Sequence, residues 1–443
     1  MPVSRKRKPR KNKRKKDRRQ RPAVGPSPFE STSDADASTL ATLPGVLEAL
    51  GREGRRREER RRSLATSAAA ELITELADIT PDIDDAELAD ELCRRCGEHL
   101  ATWADGPSDS DVSPDGFIVA VVQVACARVE EALAESTAAD GWQGPWRILA
   151  AVAGIVPSWL GEPVDDAVRQ LREHPGGQHL PALPKGPRVT GEVVWTRDAY
   201  GSRFGIAAPV STPQRPNRWY LWDVDACGFR PFTVHSAYYP TAEAALSAWR
   251  AGVGDVAGGG SSFSPVDDPG LLAELLPTHE GIFRTGCENG EQFAEYHRAR
   301  RLAEAVMRGL RRGRATTPVD PEAEAPTEFL RWLETQRGDL HPDADELVRE
   351  LVESWQIEVP AALFYCCSPH RMACAVLHIR NYYQDDFAAE LIELLPDWMR
   401  WLATRSGLSP ELVERCQPYA TGHVHPDVGD DDTKPRYLAR VVE

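Results

Sequence analysis

The chain has 443 residues, 41% of them hydrophobic, which is enough for two or three cores joined by linkers. Its formal net charge of -15 divides into +12 over residues 1–21, where 13 Lys+Arg meet only Asp17, and -27 over the remainder. An acidic body is poorly suited to non-specific DNA binding, and no apolar run reaches the roughly 18–20 residues of a membrane span, so a cytosolic protein without a membrane partner is expected.

Six of the eight lysines lie within residues 1–16, and arginine serves the rest of the chain, a composition like that of proteins from GC-rich bacteria. The nine cysteines are an odd number in a chain without an apolar leader, which favours reduced thiols over a disulfide framework.

Residues 1–42 are basic and then Ser/Asp/Pro-rich, too poor in apolar side chains to offset the entropy of ordering, and are expected to be a disordered tail. Arg5, Lys6, Arg7, Lys8, Arg10, Lys11, Lys13, Arg14, Lys15 and Lys16 are its candidate contacts to nucleic acid or another polyanion.

Residues 43–175 carry helical periodicity and are expected to form a helical domain. The block "REGRRREERRR" (52–62) reads as a mixed-charge helix extension. Leu72, Leu76 and Ile79 share a face, Thr80-Pro81 reads as an N-cap with a first-turn proline, and Leu88, Leu92, Cys96 and Leu100 continue an i+4 stripe. Cys93 and Cys96 fit Cys-x2-Cys, but Cys96 replaces a leucine of that stripe and no strand precedes the motif, so both read as core thiols rather than a redox pair. Further helices are expected at 114–136, 145–156 and 163–173.

Over residues 188–254 the period changes to two. "RVTGEVVWTR", "SRFGIAAPV", "RWYLWDVD" and "PFTVHSAYY" predict four strands, followed by the helix "TAEAALSAWRAG" capped at Thr241, that is, a small antiparallel sheet covered by one helix. Tyr220, Trp222 and Val224 alternate with Asp223 and Asp225, which project together, and His235 on the next strand can join them. Asp223, Asp225 and His235 are therefore the candidate catalytic set, fit for a metal-dependent hydrolase or nuclease. Against that stands the simpler reading in which Asp225 opens a turn and Asp223 is solvated.

Residues 255–288 read as a linker. "GVGDVA" matches G-x-G-x-x-A but follows a helix, where a dinucleotide loop requires a preceding strand. An amphipathic Arg-rich helix is expected over 289–314, with Asn289 as N-cap and Gln292 three residues on. Leu302 and Val306 mark its apolar face, and Arg301, Arg308 and Arg312 on the other are candidate phosphate contacts, unless pairs such as Arg300–Glu304 merely lace a solvated surface.

Residues 327–420 predict a C-terminal helical domain and 421–443 an acidic tail. Within "FYCCSPHRMACAVLH" (364–378), Ser368-Pro369 reads as an N-cap and first-turn proline. His370, Cys374 and His378 then share a stripe spanning about 12 Å of helix axis, too long for one tetrahedral ion. No metal is expected, and Cys367, His370 and Cys374 come closest to a ligand set. No Walker A, HExxH, GxSxG or kinase signature occurs, and no cofactor is expected.

The fold expected is α+β, mainly helical: an N-terminal helical domain, a small antiparallel sheet with a helix, and a C-terminal helical region. The leading functional expectation is a non-enzymatic binding or adaptor protein whose basic tail contacts a polyanion. A hydrolase centred on Asp223, and a helical protein–protein module with a tail that only aids solubility, are the alternatives.

Overall fold

A computed structural model describes residues 44–104, 112–135, 141–156, 161–183, 187–212, 215–226, 231–257, 262–277, 289–310, 321–357 and 359–423. The basic residues of the tail, Arg312 and the acidic stretch from 424 lie outside them. Among the described residues the chain is α+β and mainly helical, with thirteen α-helices and one antiparallel sheet of six strands.

Helices α1 (Pro44–Ile79), α2 (Asp85–Ala104), α3 (Pro114–Glu135), α4 (Gln143–Ile155) and α5 (Gly161–Glu173) enclose the first core. It is built on the predicted stripe: Leu72, Leu76, Leu88, Leu92, Cys96 and Leu100 are all buried. The cap between α1 and α2 differs from expectation. Thr80 closes α1, its hydroxyl donating to the Leu76 carbonyl at 2.6 Å. Asp84 opens α2 instead, accepting from the backbone of Ala86 and Glu87 at 2.9 Å while Glu87 accepts from the Asp84 N–H, a reciprocal capping box.

The sheet comprises β1 (Arg188–Val189), β2 (Val194–Arg197), β3 (Arg203–Thr212), β4 (Arg215–Asp225), β5 (Phe232–Tyr239) and β6 (Ser264–Pro265), in the order β5-β4-β3-β2-β6 with β1 beside the far end of β3. The single strand expected over 188–197 is two. Val189 pairs with Val210 and Val194 with Ala207, so residues 190–193 bulge past Pro209, which has no N–H to carry the ladder.

Helix α6 (Ala242–Val253), capped by Thr241 as expected, covers one face through Ala245 and Trp249 against Leu221. The other face is covered as well, by α7 (Pro269–Leu275) and α8 (Gly290–Leu310), whose Leu271, Leu272, Leu302 and Val306 pack on Phe204, Ile206, Tyr220 and Trp222. Thus the predicted linker over 255–288 is structured in part, its β6 pairing with β2 and its α7 roofing the sheet.

Helix α8 links two cores, with Phe293 and Ala294 in the first and Ala299 to Val306 on the sheet. The helices α9 (Pro321–Arg337), α10 (Ala344–Gln356), α11 (Pro369–Tyr382), α12 (Asp385–Ser406) and α13 (Pro410–Ala420) form the C-terminal region around Trp398, which meets Phe329 edge-on at 4.9 Å and Trp401 at 4.8 Å. Tyr200, at the tip of the β2–β3 hairpin, inserts into that core. Among the described residues no helix is long and apolar enough to cross a membrane.

Candidate functional site

The alternation in β4 points Tyr220, Trp222 and Val224 toward α7 and α8, leaving Asp223 on the α6 side. Asp223 is not solvated: it is 4% exposed, and Arg203 on β3 grips it with two bonds, Nε to Oδ1 at 2.9 Å and Nη2 to Oδ2 at 2.7 Å. Cross-strand register explains the fork. Gly205 lies opposite Asp223 and Arg203 opposite Asp225, so Arg203 reaches diagonally along the same face.

Asp198 adds a third carboxylate near this guanidinium. It ties the β2–β3 turn by accepting from the Ser202 and Arg203 N–H groups at 2.8 and 3.0 Å, and burial pushes its carboxyl up to about 6 against the opposing pull of those bonds. Gly201 completes the turn at φ 72°, a conformation that glycine adopts without strain.

His235 does lie across from Asp223 in the β4–β5 register, where a bulge follows. Its hydrogen-bond partner, however, comes from α8: Nδ1 donates to Glu295 Oε1 at 3.2 Å. That hydrogen bond holds the imidazole above its ordinary range, against partial burial, with Asp223 a smaller contribution. Glu295 also accepts from the Ser236 N–H at 2.5 Å, and the Tyr220 hydroxyl donates to Ser236 Oγ at 2.7 Å. The carboxylates and the imidazole are thus distributed over two networks, one around Arg203 and one around Glu295, which join β3, β4, β5 and α8.

The arginines of α8 turn largely inward. Arg300 is 3% exposed, donating to the Ile155 carbonyl at 3.1 Å and pairing with Glu304 at 3.2 Å, the expected i,i+4 partner. Arg298 and Arg301 both hold Asp90 of α2, at 2.8 and 3.0 Å. Of the two described candidate phosphate contacts on α8, Arg308 is exposed, whereas Arg301 faces α2.

Ser368 caps α11 as expected, its hydroxyl accepting from the Arg371 N–H at 3.2 Å. The thiols around it disperse. Cys366 Sγ donates to the Gly201 carbonyl at 3.2 Å, and Cys367 and Cys416 are buried together, with the contact to Cys416 and then burial raising the Cys367 thiol well above its usual range. His370 and Cys374 form a half-buried pair, their ring nitrogens and sulfur 3.9 to 4.0 Å apart, while His378 stacks on Tyr382 at 4.8 Å. Cys93 and Cys96 are fully buried, and burial pushes Cys93 up to about 12, which suits core thiols rather than nucleophiles. Among the described residues no group of three or more His, Cys, Asp or Glu side chains is placed to hold a metal ion.

Sequence reasoning missed Arg203, Glu295, Asp90 and Asp198. Asp198 carried a signal, an aspartate four residues before Ser202 with glycine between them, which is turn chemistry. The other three act across strands or helices far apart in the chain. No protein-family model, no curated protein and no solved structure matches this chain.

Proposed function

We propose that this is a cytosolic binding or adaptor protein whose basic residues 1–21 engage a polyanion, with nucleic acid as the favoured partner. The observation that carries this reading is the segregation of charge, +12 over residues 1–21 against -27 over the remainder. A polyanion lowers its free energy by exchanging condensed counterions for such a segment, while the acidic body stays away from phosphate. The inner carboxylates support the same reading, since Asp223 is matched to Arg203 and His235 to Glu295, leaving both engaged in holding elements together.

The test is a fluorescence-anisotropy titration of the full chain, and of the chain lacking residues 1–21, against mixed-sequence duplex DNA. The deletion is expected to weaken binding by about ten-fold or more, as loss of several phosphate contacts requires. Equal affinity of the two proteins would sink the reading.

A further inference from the structure

Helix α1 begins at Pro44, and from Leu50 onward the first of its side chains to enter the core is Ala65. Between residues 50 and 64 only Glu53 and Arg61 are half-buried and every other residue is exposed. The 15 residues from Leu50 to Leu64 extend roughly 22 Å beyond the first core at 1.5 Å per residue.

Residues 51–63 contain no apolar side chain: apart from Gly51, Gly54 and Ser63 they are seven arginines and three glutamates, a net +4. Glu53 pairs with Arg57 at 3.4 Å and Arg60 at 3.2 Å, and Glu58 with Arg62 at 3.5 Å. Such exposed, solvent-screened pairs hold the helix only weakly, and the segment keeps its net positive charge.

The arginines do not form one face. At 100° per residue Arg52, Arg56 and Arg60 make one ridge, Arg55 and Arg62 a second, and Arg57 and Arg61 a third. A flat anionic surface meets one ridge at a time, and a bilayer also requires an apolar face to insert, which this segment lacks. A groove walled by phosphates on two sides meets all three ridges. The major groove of B-form DNA, about 12 Å wide, admits a helix of about 10–12 Å diameter, whereas the narrow major groove of A-form RNA does not.

Projection matters for a second reason. The chain beyond residue 21 carries -27, which repels DNA at close range. A reach of roughly 22 Å exceeds the Debye length of about 8 Å at physiological ionic strength more than two-fold, so the end of the rod stands outside the field of the body.

We propose that residues 50–64 of α1 are a DNA-docking element, an arginine rod that lies in the major groove of duplex DNA and contacts phosphates on both walls without reading base sequence. The proposal takes its class of partner from the polyanion-binding reading above but rests on a different part of the chain, so the two can fail separately.

The experiment compares the full chain, the chain lacking residues 1–21, and each of these carrying Arg52→Gln, Arg55→Gln, Arg56→Gln and Arg60→Gln together, by anisotropy against a mixed-sequence DNA duplex over a range of salt. The same sequence as duplex RNA is the comparator. All four arginines are exposed, so circular dichroism and melting should be unchanged. The quadruple change is expected to weaken DNA binding about ten-fold or more and to flatten the log K against log salt slope by about 3 to 4. The tail-less chain should retain a residual affinity that the quadruple change abolishes, with DNA bound at least about ten-fold tighter than RNA. A gain-of-charge variant, Glu53→Gln with Glu58→Gln and Glu59→Gln, should tighten binding and guards against a loss caused by unfolding. If the quadruple variants bind DNA like their parents, the rod is overturned while the tail reading stands. If the deletion changes nothing and the quadruple change abolishes binding, the rod stands and the tail reading falls. Equal affinity for duplex RNA overturns the groove assignment, and no DNA binding by the full chain overturns both.

Discussion

Asp223 and Arg203 sit on neighbouring strands with the carboxylate 4% exposed and the guanidinium side chain 24% exposed, so removing either charge leaves the other poorly hydrated. Asp223→Asn is therefore expected to cost about 2 kcal/mol in urea denaturation, below the ~3–5 kcal/mol of a fully buried pair because Arg203 keeps some water. Arg203→Met combined with Asp223→Leu should recover most of that loss, since neither charge is then stranded; a double variant as unstable as the sum of the singles would contradict the pairing. His297 on α8 is the second informative residue. It is fully buried between Phe293 and Tyr296, neither ring nitrogen has a hydrogen-bond partner among the described residues, and burial, then Arg300 and Arg301, hold its pKa well below the usual imidazole range. A depressed imidazole takes up its proton only in the unfolded chain, so its effect is silent above about pH 6.5 and costs stability below it, by up to about 1.4 kcal/mol per pH unit. His297→Leu should match or exceed wild-type stability at pH 7.5 and lose less than wild type between pH 6.5 and 5.5. Denaturation curves at the two pH values measure this, and an identical acid dependence of both proteins would refute it.

At the scale of elements, α8 is the piece that turns separate cores into one framework. It touches α2 closely because Gly97 has no side chain: a Cβ there would lie 2.7 Å from the Phe293 Cβ and 3.0 Å from the Gly290 Cα. Gly97→Ala should accordingly destabilise the protein by about 1–3 kcal/mol, the range for overpacking, and Gly54→Ala on the exposed part of α1, where nothing lies within 4 Å, should stabilise its helix by a few tenths to 1 kcal/mol. Thermal melting of both variants checks this; equal effects at the two glycines would show that α8 does not depend on the close approach. The caps at Thr241, Asn289 with Gln292, and Ser368 were readable from the sequence because each is decided within four residues. Thr80 was misread because Asp84, with Glu87 after it, offers a better cap only four residues on. The partners of the candidate site residues were not readable. Arg203 reaches Asp223 diagonally across the β3–β4 register, and Glu295 reaches His235 from a helix 60 positions away. Likewise the basic face of α8 looked solvated from periodicity alone, since nothing in its own sequence places Asp90 against Arg298 and Arg301.

For the whole molecule, the governing fact is the division of charge between residues 1–21 and the acidic remainder. With the fold held together inside by arginine–carboxylate pairs and net positive charge concentrated in residues 1–21 and 51–63, a polyanion is proposed to bind through those segments while the acidic body remains apart. Binding of that kind is driven by counterion release and must weaken steeply with salt. The direct measurement is the slope of log K against log salt for the full chain on mixed-sequence duplex DNA. With about six phosphates neutralised it should lie near -5 or be steeper, and deletion of residues 1–21 should make it shallower by several units. A slope close to zero, or one that the deletion leaves unchanged, would contradict the assignment of these residues as the polyanion-binding arm.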